Sequence, residues 1–240
     1  MSTTAEKSSE HSNVKNQLPT SVKVLHQIDM FAPVIKPSNM MRADGATTVG
    51  VTEKDGKVIP IIKRVCADND HGRLVMTALA GHAPTQVTAS IIEFIFVKHS
   101  ARGKRTDTGQ RYRFSLWRLG KYLGEKWPDP EWLRKQIDIM FSTRFELFSR
   151  DTNLPYTFSI VAEHGYSRAE GTSHKFGPKM GSVQLAYSEY DIVFTGKFLE
   201  LFENEIRMYY PRVAEMIPQL KSGAAQAMVR HVLSPARRKV

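Results

Sequence analysis

Between Phe114 and Ile160 the spacing of apolar positions changes from helical to alternating. Leu116, Leu119 and Leu123 fall three or four residues apart and make one helical stripe. Ser115 stands where an N-cap is needed, and Gly124 can take the left-handed conformation that stops a helix. The run Trp127-Pro128-Asp129-Pro130-Glu131 restarts the chain, with Asp129 suited to the N-cap and Pro130 to the first turn. Leu133, Ile137, Met140 and Phe141 then share one face of a helix that ends near Thr143. From Phe145 the period drops to two. Phe145 and Leu147, and after the turn signals from Asp151 to Pro155 also Tyr156, Phe158 and Ile160, alternate with polar residues. That predicts a hairpin with one buried face. Helix, stop, helix, hairpin is the order of a winged helix-turn-helix.

Residues 1–21 are polar and cannot bury enough apolar area to offset their ordering entropy, which predicts a disordered tail. Val49-Gly50-Val51 and the run from Val58 to Ile62 flank an Asp55-Gly56 pair, a hairpin signal. Arg73 to Thr77 predicts a strand, and Thr85 to His99 a helix on which Val87, Ile91, Phe94 and Ile95 fall at helical spacing. Ile91 to Val97 is apolar nearly all round, as a buried strand would be, and the length of the segment favours the helix. Ala101 to Arg113 reads as a basic loop, Glu163 to Gly181 as a Gly-rich loop, and Val183 to Tyr187 as a strand. Helices are expected at Lys197–Phe202, Val213–Ile217 and Ala224–Leu233, broken at Pro211 and between Pro218 and Gly223. The expected fold class is α+β. A winged helix-turn-helix domain with an N-terminal hairpin fills residues 22–190, and a helical C-terminal segment fills 191–240.

Charge gives the pattern a partner. The 240 residues carry 34 Lys or Arg against 24 Asp or Glu, a net charge of +10. Residues 101–150 hold twelve of the cations and six acids, so +6 of that surplus lies in about a fifth of the chain. A local surplus of this size favours a polyanion. The alternative is an ordinary solvated basic surface. No apolar run approaches the ~20 residues that span a bilayer, and the start of the chain has no apolar core of a secretory signal. Cys66 is the single cysteine, so no disulfide framework or thiolate metal site forms within one chain, and the reducing cytoplasm is the expected compartment.

A helix fits the major groove of B-DNA, where Arg and Lys reach guanine, and Glu and Asp accept from cytosine. With the apolar stripe inward, Glu131, Arg134, Lys135 and Asp138 are the candidate base-reading residues, although many charged helix faces are simply solvated. Candidate phosphate contacts are Arg102, Lys104, Arg105, Arg111, Arg113, Arg118 and Lys121 before that helix, with Arg144 and Arg150 in the expected wing. Trp117 and Trp132 read as packing residues.

Catalytic patterns are missing. The histidines show no paired ligand spacing, no phosphate-cradling G-x-x-x-x-G-K-[ST] loop occurs, and neither does a G-x-S-x-G elbow. Cys66 between Val65 and Ala67 reads as a buried structural thiol. Tyr209-Tyr210 could suggest a nickase nucleophile pair, but the His-apolar-His motif that accompanies such pairs is absent, and both read as aromatic residues of a helix. Neither an enzyme nor a cofactor is expected.

Three segments in order resemble plasmid replication initiators of the winged-helix type, the replication initiator protein A and related Rep families. They are Thr85 to Val97; Phe114 to Gly124 with Trp132-Leu133-Arg134-Lys135-Gln136-Ile137; and Leu220-Lys221-Ser222-Gly223-Ala224-Ala225-Gln226-Ala227-Met228-Val229-Arg230. The resemblance covers roughly residues 70–233. It implies a protein that binds repeated sites at a plasmid or phage origin, helps open the duplex, and works with a host replication initiator and helicase. It also implies interconversion between monomer and homodimer. The last segment resembles the helix that opens a second winged domain. No second recognition helix or wing follows it in these 240 residues, so it either begins such a domain or serves dimerisation. Two other readings use the same residues: a winged-helix transcriptional repressor, and a basic DNA-associated structural protein that does not read sequence.

Overall fold

A computed structural model describes residues 21–22, 30–32, 47–54, 56–69, 72–79, 81–99, 103–149, 155–167, 189–203, 207–208 and 210–233. The expected tail over residues 1–20, the expected strand Val183–Tyr187, and Arg102, Arg150 and Tyr209 lie outside them. The described part is mixed α and β, with antiparallel sheets and six α-helices among these residues.

Helix α1 (Gln86–His99) is the centre of the core. Its face from Gln86 through Phe96 is buried without a break, which explains why the run is apolar nearly all round: it is covered on every side. On one flank lies a five-stranded sheet of order β2-β3-β4-β7-β8, from strands β2 (Thr47–Lys54), β3 (Lys57–Asn69), β4 (Gly72–Ala78), β7 (Thr143–Ser149) and β8 (Pro155–Ser159). Met76 of β4 is paired with Phe145 of β7, and Phe145 with Phe158 of β8; all three enter the core. A second sheet has the order β5-β6-β10-β9, from β5 (Lys104–Arg105), β6 (Gly109–Ser115), β9 (Val161–Tyr166) and β10 (Glu189–Thr195). Two short strands, β1 (Ser21–Val22) and β11 (Arg207–Met208), pair separately.

The two central helices match their expected starts and stops. Helix α2 (Leu116–Tyr122) follows β6 directly, and its C-terminal turn ends at Gly124 with φ +85°. Helix α3 (Pro130–Ser142) has Asp129 as N-cap, its carboxylate accepting from the Glu131 N–H at 2.9 Å. Ser115 makes no side-chain cap bond. Gly120 is needed for a different reason. A β-carbon there would lie 2.3 Å from Pro128 Cβ, so the turn folds back onto α2 only over a glycine.

Three expectations are corrected. Ala101–Arg113 is not a loop throughout: Lys104–Arg105 and Gly109–Ser115 are strands, because Tyr112 and Phe114 alternate into the core between Arg111 and Arg113. The Gly-rich stretch begins as strand β9, which runs to Tyr166. Strand β10 crosses the expected boundary at 190/191, and the helical part starts with α4 (Gly196–Glu203). The expected hairpin of Arg144–Ile160 forms, with β7 paired to β8. Strand β7 pairs with β4 along its whole length and extends the N-terminal sheet.

The chain closes with α5 (Pro211–Met216), a 3-10 turn over Ile217–Gln219, and α6 (Gly223–Leu233). Pro211 starts α5 rather than breaking a helix, because a proline at the first helical position loses no hydrogen bond. Tyr210 immediately precedes α5 and its hydroxyl donates to Glu93 at 3.2 Å. Arg230 ties helix α6 to α1. On the largely apolar α1, Gln86, Ser90 and Glu93 form a polar line spaced i, i+4, i+7, and Arg230 reaches all three. Its Nε donates to Glu93 at 2.9 Å, its terminal nitrogens to Glu93 and Gln86 at 2.6 Å and to Ser90 at 2.7 Å. Burial works against the guanidinium charge, but Glu93 and its hydrogen bonds outweigh burial and hold Arg230 above its ordinary range.

Candidate nucleic-acid interface

Helix α3 buries Leu133, Gln136, Ile137, Ile139 and Met140 and turns Glu131, Lys135 and Phe141 to solvent. Its core side packs on α1, α2 and both sheets, and its most extensive neighbour is β9. The outward face is therefore divided. Glu131 and Lys135 lie on the open side. Arg134 and Asp138 lean toward the paired strands β9 and β10.

The leaning pair is tied down. Arg134 bonds Glu131 at 3.2 Å, and its charge acts on the Tyr166 hydroxyl of β9. Asp138 Oδ1 is 3.2 Å from His164 Nε2, and His164 Nδ1 is 2.7 Å from the Tyr190 hydroxyl. Phe141 meets the His164 ring edge-on at 5.2 Å between centroids, and Tyr166 meets Tyr190 in the same way at 5.2 Å. Burial lowers the His164 pKa; Asp138 opposes this and Arg134 adds to it, and the net direction is down from 6.5. Burial is also the main reason that Tyr190 and Tyr166 titrate above the ordinary phenol range. Arg134 and Asp138 are half-exposed, and each has a partner within the fold.

The flanking cations divide as well. Lys121 donates to the Lys126 carbonyl at 2.7 Å and sits 4.9 Å over the Trp117 ring, so it braces the α2–α3 turn. Arg118, Lys126, Lys135 and Arg144 are exposed and have no ion-pair partner among the described residues. Arg144 lies just beyond the end of α3. Beside α2 a cleft of about 740 Å³ is lined by Lys98, Arg118, Lys121, Trp117 and Tyr122 among others; its one carboxylate, Glu215, is bonded to Lys98. Trp132 packs against the core, whereas Trp127 is exposed and tilts against Trp117.

Other candidates lie elsewhere. Arg111 and Arg113 leave the sheet on the face opposite Tyr112 and Phe114, and both are compensated. Arg111 bonds Glu163 at 3.3 Å, and Arg113 holds Asp191 with two bonds of 2.8 and 3.2 Å. Lys104 and Arg105 are exposed on β5, at the sheet edge remote from β9, where α3 packs. Sequence reasoning did not anticipate Lys98 or the His164–Tyr166–Tyr190 cluster. Tyr166 and Tyr190 carry no short-range motif; they meet only because β9 and β10 pair in register.

The described residues contain no group of three or more His, Cys, Asp or Glu placed to hold a metal ion. No described helix is long and apolar enough to cross a membrane.

Comparison with known proteins yields one distant structural likeness. It is to domains 2 and 3 of RctB, at 12% identity, covering 82% of this chain and 70% of that one, with a TM-score of 0.44. A likeness that weak carries no argument about function. No family model matches the chain, and no curated protein matches it.

Proposed function

We propose that this chain is a sequence-specific, double-stranded DNA-binding protein of the winged-helix type, in which α3 enters the major groove. The observation that carries this reading is α3 itself: capped by Asp129, buried along one side, and offering Glu131 and Lys135 on the other, with Arg118, Lys126 and Arg144 uncompensated around it. A capped, rigidly packed helix with one polar face is what major-groove reading requires. The order α1, β6, α2, α3, β9, β10, with β10 between β6 and β9, supports a winged-helix arrangement in which β9–β10 takes the place of the wing. The β7–β8 hairpin is then an addition that joins the domain to its N-terminal sheet. Within this class the reading is a replication initiator that binds repeated origin sites, on the strength of the Rep-like segments, which fall on α1, on β6 through α3, and on α6. The protein acts without catalytic residues or a cofactor.

The test is a salt titration on duplex DNA. Binding that rests on phosphate contacts weakens with salt at a slope of about −0.9 per contact. Removing Arg118 should reduce that slope by about 1 and weaken all sequences alike. An unchanged slope would remove the α2 flank from the interface.

A further inference from the structure

We propose that His164 is the positioning residue of the DNA-reading helix: bridging Asp138 of α3 to Tyr190 of β10, it sets how α3 presents Glu131 and Lys135. This rests on the reading of α3 as the DNA-contacting helix.

The geometry satisfies each partner with a neutral imidazole. The Tyr190 hydroxyl donates to Nδ1 at 2.7 Å, and Nε2–H donates to the Asp138 carboxylate at 3.2 Å. This assignment of the ring proton is the one that leaves no acceptor facing an acceptor, because an unprotonated Nε2 would set its lone pair against the Asp138 carboxylate. Tyr190 is buried, stands opposite Phe114 of β6 and touches Tyr166, so the relay ends in a fixed part of the sheet. His164 is itself mostly covered, with 13% of its side chain exposed, and Phe141 packs on its edge. The roll of α3 about its own axis is thereby fixed from its solvent-side flank as well as from the core. Core packing alone tolerates small rotations, and a small rotation would move Lys135 off a base edge. Asp138, held by the imidazole, supports the helix rather than reading a base.

Protonation disturbs this relay. With both ring nitrogens donating, the Tyr190 hydroxyl loses its acceptor in a buried position. The charged groups around the ring are Asp138, Arg134 and Glu131 from α3; Tyr190 from β10 and Tyr166 from β9 complete its titratable neighbours. Glu163 lies on the opposite face of β9, paired with Arg111.

The experiment compares the parent with His164→Gln and Tyr190→Phe, measuring affinity for a selected duplex and for a random one at pH 7.5 and at pH 5.5. Thermal melting runs alongside. The expected result is about tenfold weaker binding of the selected duplex for His164→Gln, with random-duplex binding unchanged. Tyr190→Phe should shift the same way by less. The parent should lose selectivity as pH falls below 6.5, and His164→Gln should lose none. In the DNA-free parent, the imidazole nitrogen resonances should report a neutral ring with its proton on Nε2. Folded variants with parental selectivity and a parental pH profile would overturn the proposal. A parent that selects no sequence would overturn the DNA reading and this proposal with it. An Nε2–H resonance in that same protein would place the failure in the DNA reading, and a proton on Nδ1 would place it in the relay.

Discussion

Arg230→Ala should destabilise the protein by about 3–5 kcal/mol, the usual cost of removing one partner of a buried ion pair. The loss is this large because of what is left behind. Glu93 would stay buried with its charge uncompensated, and Gln86 and Ser90 would lose a donor in the middle of the core. Arg230→Lys should recover only part of the loss, since an ammonium cannot reproduce the fork that serves three side chains. Replacing the pair together, Arg230→Met with Glu93→Leu, should be much milder than either single change, because no buried charge is left alone. Urea unfolding followed by far-UV circular dichroism would measure all five variants. Equal destabilisation by the double and single changes would mean that the shape of the α1–α6 contact, not its charge, holds the C-terminal helix.

Lys135→Ala should weaken binding of the selected duplex by about 1–3 kcal/mol, the range of one good base contact, with no change in melting temperature. The side chain is exposed and has no ion-pair partner among the described residues, so nothing in the fold depends on it. Arg134→Ala should behave differently. It breaks an exposed pair with Glu131, worth about 0.3–0.5 kcal/mol. Its effect on DNA should therefore come with a small loss of stability. Anisotropy titrations of a labelled duplex, alongside melting curves, separate the two. Parental affinity in a folded Lys135→Ala, Arg134→Ala double variant would remove α3 as the reading helix.

The residues differ in how far they announce their structure. The α2–turn–α3 unit was legible because its signals are local: a three-to-four residue stripe, a left-handed glycine, and an Asp-Pro start each act within a few residues. Strands β6 and β9 were hidden by their composition. Arg111-Tyr112-Arg113-Phe114 alternates as a strand should, yet its charge suggests a loop until Glu163 and Asp191, 52 and 78 residues away, are seen to neutralise it. That same pairing gives two of the expected phosphate ligands a carboxylate partner within the fold. The sheet that Phe145–Ile160 joins was hidden for a related reason. Phe145–Ile160 is a true hairpin, but which sheet it joins depends on its pairing with β4, and no local pattern records a partner so far back in the chain. The polar line on α1 was a signal that could have been read: Gln86, Ser90 and Glu93 at helical spacing on a buried helix require a buried polar partner.

The most direct measurement is a selection of bound fragments from random duplex DNA at about 150 mM salt, where purely electrostatic binding is suppressed. The account predicts one enriched sequence, recurring as direct repeats, and its loss when Lys135→Ala replaces the parent. A single palindrome would favour a repressor over an initiator. No enrichment, with affinity that collapses as salt rises, would contradict the account: the charge would bind DNA, and α3 would read nothing.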